Sequence, residues 1–194
     1  MSDARAAEIS FYADLYEDRD AGYGYPGERQ HVALAFAGAE ISAAGYVLDV
    51  SAGRGQFARL VLERCPGISV HVSEAVDGLL EKDLAGLPRF RWALPEPCPT
   101  GGQWDLVACL DVIEHLVPED TEAAVEALAA VASEWLLLSI ALFPCPWKGR
   151  ETHVNLRPAE EWKGRLPAWL GDAWRTARVE ERQKTLWYLA RRVA

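Results

Sequence analysis

Short apolar runs alternate with longer amphipathic segments along most of the chain. The short runs predict strands over residues 46–50, 68–72, 90–93, 104–110 and 135–140, and the longer segments predict helices over 28–44, 55–65 and 120–134. Two further runs, 174–181 and 185–191, are separated only by Arg182-Gln183-Lys184 and predict an antiparallel hairpin. Strands that alternate with helices imply a doubly wound α/β fold, whose ligands bind at the carboxyl ends of the strands.

Length and composition favour a single domain over residues 1–194, because half of these residues are hydrophobic and suffice for a sizeable core. No stretch approaches the roughly 18 uninterrupted apolar residues of a membrane span. The first residues, Met1–Arg5, lack the basic and then apolar order of a secretory signal. The four cysteines form no Cys-x-x-Cys pair, which favours reduced thiols over a zinc ribbon or a disulfide scaffold. We therefore expect a cytoplasmic protein without a membrane partner.

The net charge of −9 is unevenly distributed. Residues 1–144 hold 9 Lys and Arg against 23 Asp and Glu, whereas residues 145–194 hold 11 against 6. An acidic body argues against a protein that wraps duplex nucleic acid. The basic C-terminal part is either a solvated face or the lining of a pocket for an anionic substrate.

The segment from Val47 to Gly55 reads V-L-D-V-S-A-G-R-G, an apolar strand that breaks at once into a turn of small residues. A helix is predicted directly after this turn. Glycine has no Cβ, so the backbone of the turn can approach a ligand closely. The first turn of the helix adds unpaired N–H groups. This arrangement is typical of a nucleotide-binding site.

The glycine turn alone does not identify the nucleotide, because Gly53–Ala58 also satisfies the dinucleotide pattern G-x-G-x-x-A. Three features favour S-adenosylmethionine over a nicotinamide: Asp49 at the end of the first strand, Glu74 located 19 residues after Gly55, and the closing strand pair. A dehydrogenase would also need more chain for a substrate domain. We expect Glu74 to accept hydrogen bonds from the ribose hydroxyls, with Asp77 as the fallback acceptor. Asp49 either reaches the amino group of the methionine moiety or caps nearby backbone N–H groups.

With these motifs in place, the chain from about residue 28 to its end resembles the class I S-adenosylmethionine-dependent methyltransferases. The resemblance implies a Rossmann-like, seven-stranded sheet with a C-terminal antiparallel strand pair, and S-adenosylmethionine as cofactor. The cofactor-binding residues that it implies are Asp49, Ser51, Ala52, Gly53, Gly55, Glu74, Trp92 and Asp111. Two positions depart from the family: Ser51 replaces the first glycine of the turn, and Trp92 replaces the acid that binds the adenine amine. Trp92 either stacks on the purine or belongs to the core.

The most discriminating chemistry lies in Asp111-Val112-Ile113-Glu114-His115, together with His153. This set resembles two branches of the family: the ubiquinone-biosynthesis O-methyltransferases and the small-RNA 2′-O-methyltransferases. The latter hold a divalent ion with a similar motif and a later histidine. The implied metal ligands are Asp111, Glu114, His115 and His153, which would accept Mg²⁺ or Mn²⁺. Without a metal, His153 and His115 are the candidate general bases for an oxygen acceptor.

The molecule that accepts the methyl group is the feature that the sequence constrains least. Residues 1–27, with the aromatic run Phe11–Tyr16 and Tyr23-Gly24-Tyr25-Pro26, resemble the lid that covers the cofactor in members of the family, and residues 28–194 form the core. We expect O-methylation of a small molecule, with a metal-assisted RNA or nucleic-acid methyltransferase as the alternative. An NAD-dependent oxidoreductase and a non-catalytic cofactor-binding protein remain open as other classes. Among the tryptophans of the C-terminal part, we expect Trp162, Trp169, Trp174 and Trp187 to pack in the core.

Overall fold

A computed structural model describes residues 3–18 and 28–193. The strands are β1 (Tyr46–Val50), β2 (Ser69–Glu74), β3 (Arg89–Arg91), β4 (Trp104–Leu110), β5 (Ala132–Ala141), β6 (Pro146–Trp147), β7 (Arg150–Glu151), β8 (Trp174–Arg182) and β9 (Thr185–Arg192). The α-helices are α1 (Asp3–Glu17), α2 (Glu28–Ala43), α3 (Gln56–Arg64), α4 (Thr121–Val131) and α5 (Ala159–Leu170). Short 3₁₀ turns cover Lys82–Leu84, Ile113–His115 and Pro118–Asp120.

Seven strands form one sheet in the order β3-β2-β1-β4-β5-β9-β8. The first five strands of this order pair in parallel, while β9 is antiparallel to β5 and to β8. Strands β6 and β7 form a separate small hairpin. The predicted α/β sheet with its closing antiparallel strand pair is therefore confirmed.

The core consists of two apolar layers, one on each side of the sheet. Successive residues of β5 point to opposite faces, as the period of a strand requires. Leu136 and Leu138 belong to the layer under α4 and α5, whereas Leu137 belongs to the layer under α2 and α3. All three leucines are fully buried, which explains why β5 is apolar throughout. Trp162, Trp174 and Trp187 are core residues and Trp169 packs against the core, as predicted.

Several boundaries differ from the predicted ones. Strand β5 begins at Ala132 rather than at 135, because Ala132 already pairs with Trp104 of β4. This pairing overrides the helix propensity of the alanine-rich segment before it. Strand β2 continues to Glu74, and β3 ends before Trp92. Helices α1 and α5 and the hairpin of β6 and β7 were not predicted.

In the part of the chain that the structure describes, no helix combines the length and the apolar character needed to cross a membrane. The four cysteines are free thiols.

Candidate active site

The turn after β1 has the backbone geometry of a close ligand approach. Ser51, Gly53 and Gly55 all have positive φ angles, of 54°, 56° and 85°. A Cβ on Gly53 would lie 2.6 Å from the hydroxyl oxygen of Tyr16, and one on Gly55 would lie 2.5 Å from Leu84. The positive φ angles therefore favour glycine at both positions, and a Cβ there would also displace the end of the Tyr16 or Leu84 side chain. Ser51 adopts the same left-handed conformation with a side chain, at a cost of roughly 1–2 kcal/mol.

Asp49 lies buried at the end of β1 and accepts a hydrogen bond from the N–H of Ala58, at 3.2 Å. Ala58 is in the first turn of α3, so the carboxylate caps the helix that follows the glycine turn. Burial raises the pKa of Asp49 to about 7, and the Ala58 N–H offsets part of this rise. The capping role expected of Asp49 is thus present. Its contact with a cofactor amino group stays a prediction.

Glu74 joins the ends of β1 and β2. One carboxylate oxygen accepts from the N–H of Gly53 at 2.8 Å, and the other accepts from Ala75 at 2.7 Å and from Val76 at 3.1 Å. Burial raises the pKa of Glu74, and these three N–H donors counteract the rise. The glycine turn and the predicted ribose acid are therefore in direct contact. The fallback acceptor, Asp77, has a side chain that is 81% exposed near Arg91.

The structure corrects the expectation for Trp92. This residue is 2% exposed and belongs to the apolar core, with its indole N–H donated to the carbonyl of Glu96 at 2.6 Å. Its ring stacks on that of Phe90 with an angle of 26° between the two planes and centroids 6.4 Å apart. A ring enclosed in this way packs the core and offers no free face to a purine.

Asp111, at the end of β4, is held by two neighbours. Its carboxylate accepts from the hydroxyl of Ser139 at 3.0 Å and from the guanidinium of Arg29 at 2.8 Å. Arg29 belongs to the first turn of α2, so this ion pair connects α2 to the mouth of the sheet. Asp111 lies outside the cluster of candidate metal ligands that forms nearby, which corrects the four-ligand prediction.

Glu114, His115 and His153 come together, with one ligand atom of each within 4.8 Å of the others. Glu114 is fully buried, and one of its oxygens accepts from the N–H of Ala141 at 2.9 Å. The other oxygen is buried and has no hydrogen-bond partner among residues 3–18 and 28–193. Burial and the nearby charge of Asp111 raise the pKa of Glu114 well above its usual range. An unsatisfied buried carboxylate oxygen is costly unless a proton or a cation satisfies it.

The two imidazoles are held in the same tautomer. Nδ1 of His115 lies 2.9 Å from the carbonyl oxygen of Thr152, and Nδ1 of His153 lies 2.5 Å from that of Phe143. A carbonyl only accepts hydrogen bonds, so Nδ1 carries the proton in both rings and Nε2 carries the lone pair. Burial lowers the pKa of His115 to about 4 and also lowers that of His153. Both rings are therefore neutral near pH 7. Backbone carbonyls that fix imidazoles in this way are typical around metal-binding histidines.

Helix α1 contributes two tyrosines to the site. The sequence predicted them only as part of a lid. The Tyr12 hydroxyl lies 2.8 Å from Nδ1 of His115, and the Tyr16 hydroxyl faces Gly53. Their spacing of four residues places them on one helical face, a signal that the sequence contained. The segment Tyr23-Gly24-Tyr25-Pro26 lies outside the described residues.

No protein-family model and no curated protein matches the chain. Solved structures nevertheless share its fold. The 1,6-didemethyltoxoflavin-N1-methyltransferase of Burkholderia thailandensis, with bound S-adenosylhomocysteine, has a TM-score of 0.74 and 20% identity, over 97% of this chain and 89% of its own. The magnesium protoporphyrin IX methyltransferase of Synechocystis PCC 6803 has a TM-score of 0.70 and 17% identity, over 96% and 100%. The methyltransferase domain of bacterial CtHen1 has a TM-score of 0.63 and 16% identity, over 84% and 97%.

These structures are similar to the chain over nearly their whole length, while their sequences differ from it at four positions out of five or more. The similarity therefore concerns the fold. The chain has the fold of the class I S-adenosylmethionine-dependent methyltransferases.

Proposed function

We propose that this protein is an S-adenosylmethionine-dependent methyltransferase that acts on an oxygen atom of a small molecule. The observation that carries the proposal is the contact of Glu74 with the N–H of Gly53, at 2.8 Å. It joins an acidic strand end to the glycine turn, and this pair of features suits an adenosine whose ribose lies across both strand ends. The free thiols of the chain agree with a cytoplasmic location.

The residues at the mouth of the sheet fit this cofactor. Three N–H donors use three of the roughly four lone-pair positions of the Glu74 carboxylate, so one remains to accept a hydrogen bond from a ribose hydroxyl. Buried Asp49 would pair with the cofactor ammonium, which would favour its charged form. The antiparallel β9, inserted between β5 and β8, favours a methyltransferase over a dehydrogenase, whose nucleotide-binding sheet is usually parallel.

Bound S-adenosylmethionine supplies an electrophilic methyl group on a sulfonium. The chain aligns the acceptor with this methyl group and removes the proton of the attacking hydroxyl. Burial lowers the pKa of both His153 and His115, so both rings are neutral near pH 7 and either can accept a proton. Because the pKa of His115 falls to about 4, His115 is the weaker base of the two. Thr152 and Phe143 keep the other ring nitrogen occupied, so the rings are oriented before the acceptor arrives. A small molecule is the proposed acceptor because residues 1–144 are strongly acidic, which disfavours a polyanion.

A second candidate, a metal-assisted methyltransferase, is favoured by the orphaned oxygen of Glu114. Glu114, His115 and His153 would hold the ion, whereas Asp111 is occupied by Arg29 and Ser139. Two imidazoles and one carboxylate suit Mn²⁺ or Zn²⁺ better than Mg²⁺, which prefers oxygen ligands. Such an ion would provide Lewis acidity and would orient hydroxyl groups of the acceptor.

Calorimetric titration with S-adenosylhomocysteine and, separately, with NAD tests the cofactor. We expect the wild type to bind S-adenosylhomocysteine with micromolar affinity and NAD not at all. Glu74→Gln should weaken binding at least tenfold, because it removes the charge that the ribose hydroxyls meet. Asp77→Asn, the control, should bind as the wild type does, since Asp77 is exposed. Binding of NAD alone would contradict the proposal.

Titration with Mn²⁺ and with Zn²⁺ tests the second candidate. We expect one site per chain in the wild type and at least a hundredfold weaker binding in His153→Ala. His31→Ala is the control, because His31 is an exposed residue of α2. If both variants bind the ions like the wild type, the cluster is not a metal site, and the two histidines act as bases only.

A further inference from the structure

One face of α1 reaches two separate parts of the candidate site. Tyr12 and Tyr16 are four residues apart, so their side chains lie one above the other on the helix. Their Cα atoms are separated by about 6 Å along the axis. Tyr16 contacts the glycine turn at the cofactor side, and Tyr12 contacts the imidazole cluster at the acceptor side.

The Tyr16 end lies directly over the glycine turn. Its hydroxyl oxygen is 2.6 Å from the place that a Cβ on Gly53 would take. The guanidinium of Arg54, in the same turn, donates to the main-chain carbonyl of Tyr16 at 2.8 Å. Burial and the charge of Glu74 raise the pKa of Tyr16, so its hydroxyl keeps its proton. A cofactor bound at Gly53 must therefore contact this side chain or displace it.

The Tyr12 end contacts His115 and the carbonyl that orients the His115 ring. Its hydroxyl lies 2.8 Å from Nδ1 of His115 and donates to the carbonyl of Thr152 at 3.2 Å. The same carbonyl accepts from Nδ1 of His115, at 2.9 Å. The Tyr12 ring packs edge-on against that of His115, with centroids 5.2 Å apart. Since Thr152 directly precedes His153, one hydroxyl is connected to both histidines.

Further contacts fix α1 to the β6–β7 hairpin, which precedes Thr152. Phe11 packs edge-on against Trp147, with ring centroids 5.3 Å apart, and the guanidinium of Arg150 lies 4.0 Å from the centre of the Phe11 ring. Asp18, just after the helix, accepts from the indole N–H of Trp147 at 3.2 Å. Movement of α1 therefore breaks contacts at the turn, at the hairpin and at His115 together.

We infer that α1 couples the cofactor turn to the imidazole cluster, and that Tyr12 is a positioning residue for His115. The inference rests on the proposed function. A cofactor that orders Tyr16 over the turn also orders Tyr12, which then holds the His115 ring and the Thr152 carbonyl in place. The acceptor side of the site becomes ordered when the cofactor side is occupied.

Hydrogen–deuterium exchange with saturating S-adenosylhomocysteine tests this coupling. In the wild type, we expect the ligand to slow amide exchange at least fivefold both in α1 and at residues 150–153. Tyr12→Phe keeps the ring but loses the hydroxyl. It should bind S-adenosylhomocysteine within about twofold of the wild type, yet show less than twofold slowing at residues 150–153. Tyr46→Phe is the control, because Tyr46 is 54% exposed at the opposite end of β1.

The ¹⁵N chemical shifts of the His115 ring give a signature that loss of packing alone would not produce. The wild type should show a proton on Nδ1 only. In Tyr12→Phe the Thr152 carbonyl loses the hydrogen bond from Tyr12 and is held less firmly against Nδ1, so a mixture of the two tautomers should appear. Tyr16→Phe is a second variant if Tyr12→Phe does not fold: at a ligand concentration that saturates this variant, the ligand effect at residues 150–153 should be abolished. Equal slowing in the wild type and both variants overturns the inference, as does binding without any slowing at 150–153. Absence of S-adenosylhomocysteine binding overturns the proposed function as well.

Discussion

Ser51 is the residue at which this chain departs most clearly from a glycine turn. With a φ of 54°, it pays a steric cost of roughly 1–2 kcal/mol that glycine would avoid. Glycine loses more conformational entropy than serine on folding, which costs about 0.5–1 kcal/mol of free energy. Ser51→Gly should therefore raise the free energy of unfolding by roughly 0.5–1 kcal/mol, measured by urea denaturation. Ser51→Val should lower it, since a β-branched residue fits this region worst. A less stable glycine variant would mean that the serine hydroxyl stabilises the turn.

Asp49 should make the stability of the protein depend on pH. Its pKa rises to about 7 in the folded state, from 3.8. The folded state therefore binds this proton more tightly than the unfolded state does. The resulting stabilisation of the folded state is present below pH 4 and is lost as the pH rises to about 7. Asp49→Asn keeps an acceptor for the N–H of Ala58 but cannot bind this proton. The free energy of unfolding of Asp49→Asn minus that of the wild type should therefore be about 2 kcal/mol larger at pH 8 than at pH 5.5. Urea denaturation at the two pH values measures this difference, and a difference near zero would exclude titration of Asp49 in this range.

At the residue scale, the cofactor motif could be predicted because it is local. Asp49, Gly53 and Gly55 lie within seven residues, and Glu74 ends the next strand. The roles of Tyr12, Tyr16 and Arg29 could not be predicted, because their partners lie on other elements of the chain. Of the four candidate metal ligands, the structure brings together Glu114, His115 and His153 but not Asp111. Arg29 pairs with Asp111, and no sequence spacing reveals this contact.

The hairpin of β8 and β9 shows how an element can form in spite of its turn residues. Gln183 and Lys184 connect the strands with positive φ angles of 54° and 57°, as in a type I′ turn, which favours Asn-Gly. Pairing of Arg182 with Thr185 closes this two-residue loop. Replacing Gln183→Asn together with Lys184→Gly should raise the free energy of unfolding by roughly 1 kcal/mol, measured by urea denaturation. Lys184→Ala removes the charge but keeps the strain, so it should change stability far less. Equal stabilisation by both would assign the effect to charge.

At the element scale, seven strands and three helices could be predicted because each has a clear apolar period. Helix α5 was missed although Trp162, Leu166 and Leu170 recur at intervals of four and are all buried. Pro167 lies inside this helix and disguised the pattern. Helix α1 was missed because its stability depends on contacts with the glycine turn, His115 and the β6–β7 hairpin rather than on its own sequence.

At the scale of the whole molecule, the closing strand pair determines whether the sheet is complete. Strand β9 pairs with β5 from Trp135 to Ala141, and Trp187 and Leu189 of β9 are each 1% exposed. Without β8 and β9, the apolar strand β5 would become an unpaired edge, which is a strong aggregation site. The core layer under α2 would also lose two large side chains.

A chain that ends at Ala173 should therefore not fold, even though every residue of the proposed cofactor site precedes that point. We expect it to aggregate, or to lack a cooperative urea transition and S-adenosylhomocysteine binding. Trp187→Ala in the full chain is a milder test of the same layer, with an expected loss of about 3–5 kcal/mol. A truncated chain that stays monomeric, unfolds cooperatively and binds S-adenosylhomocysteine would show that the five parallel strands form a complete folding unit. The antiparallel pair would then serve only the acceptor side of the site.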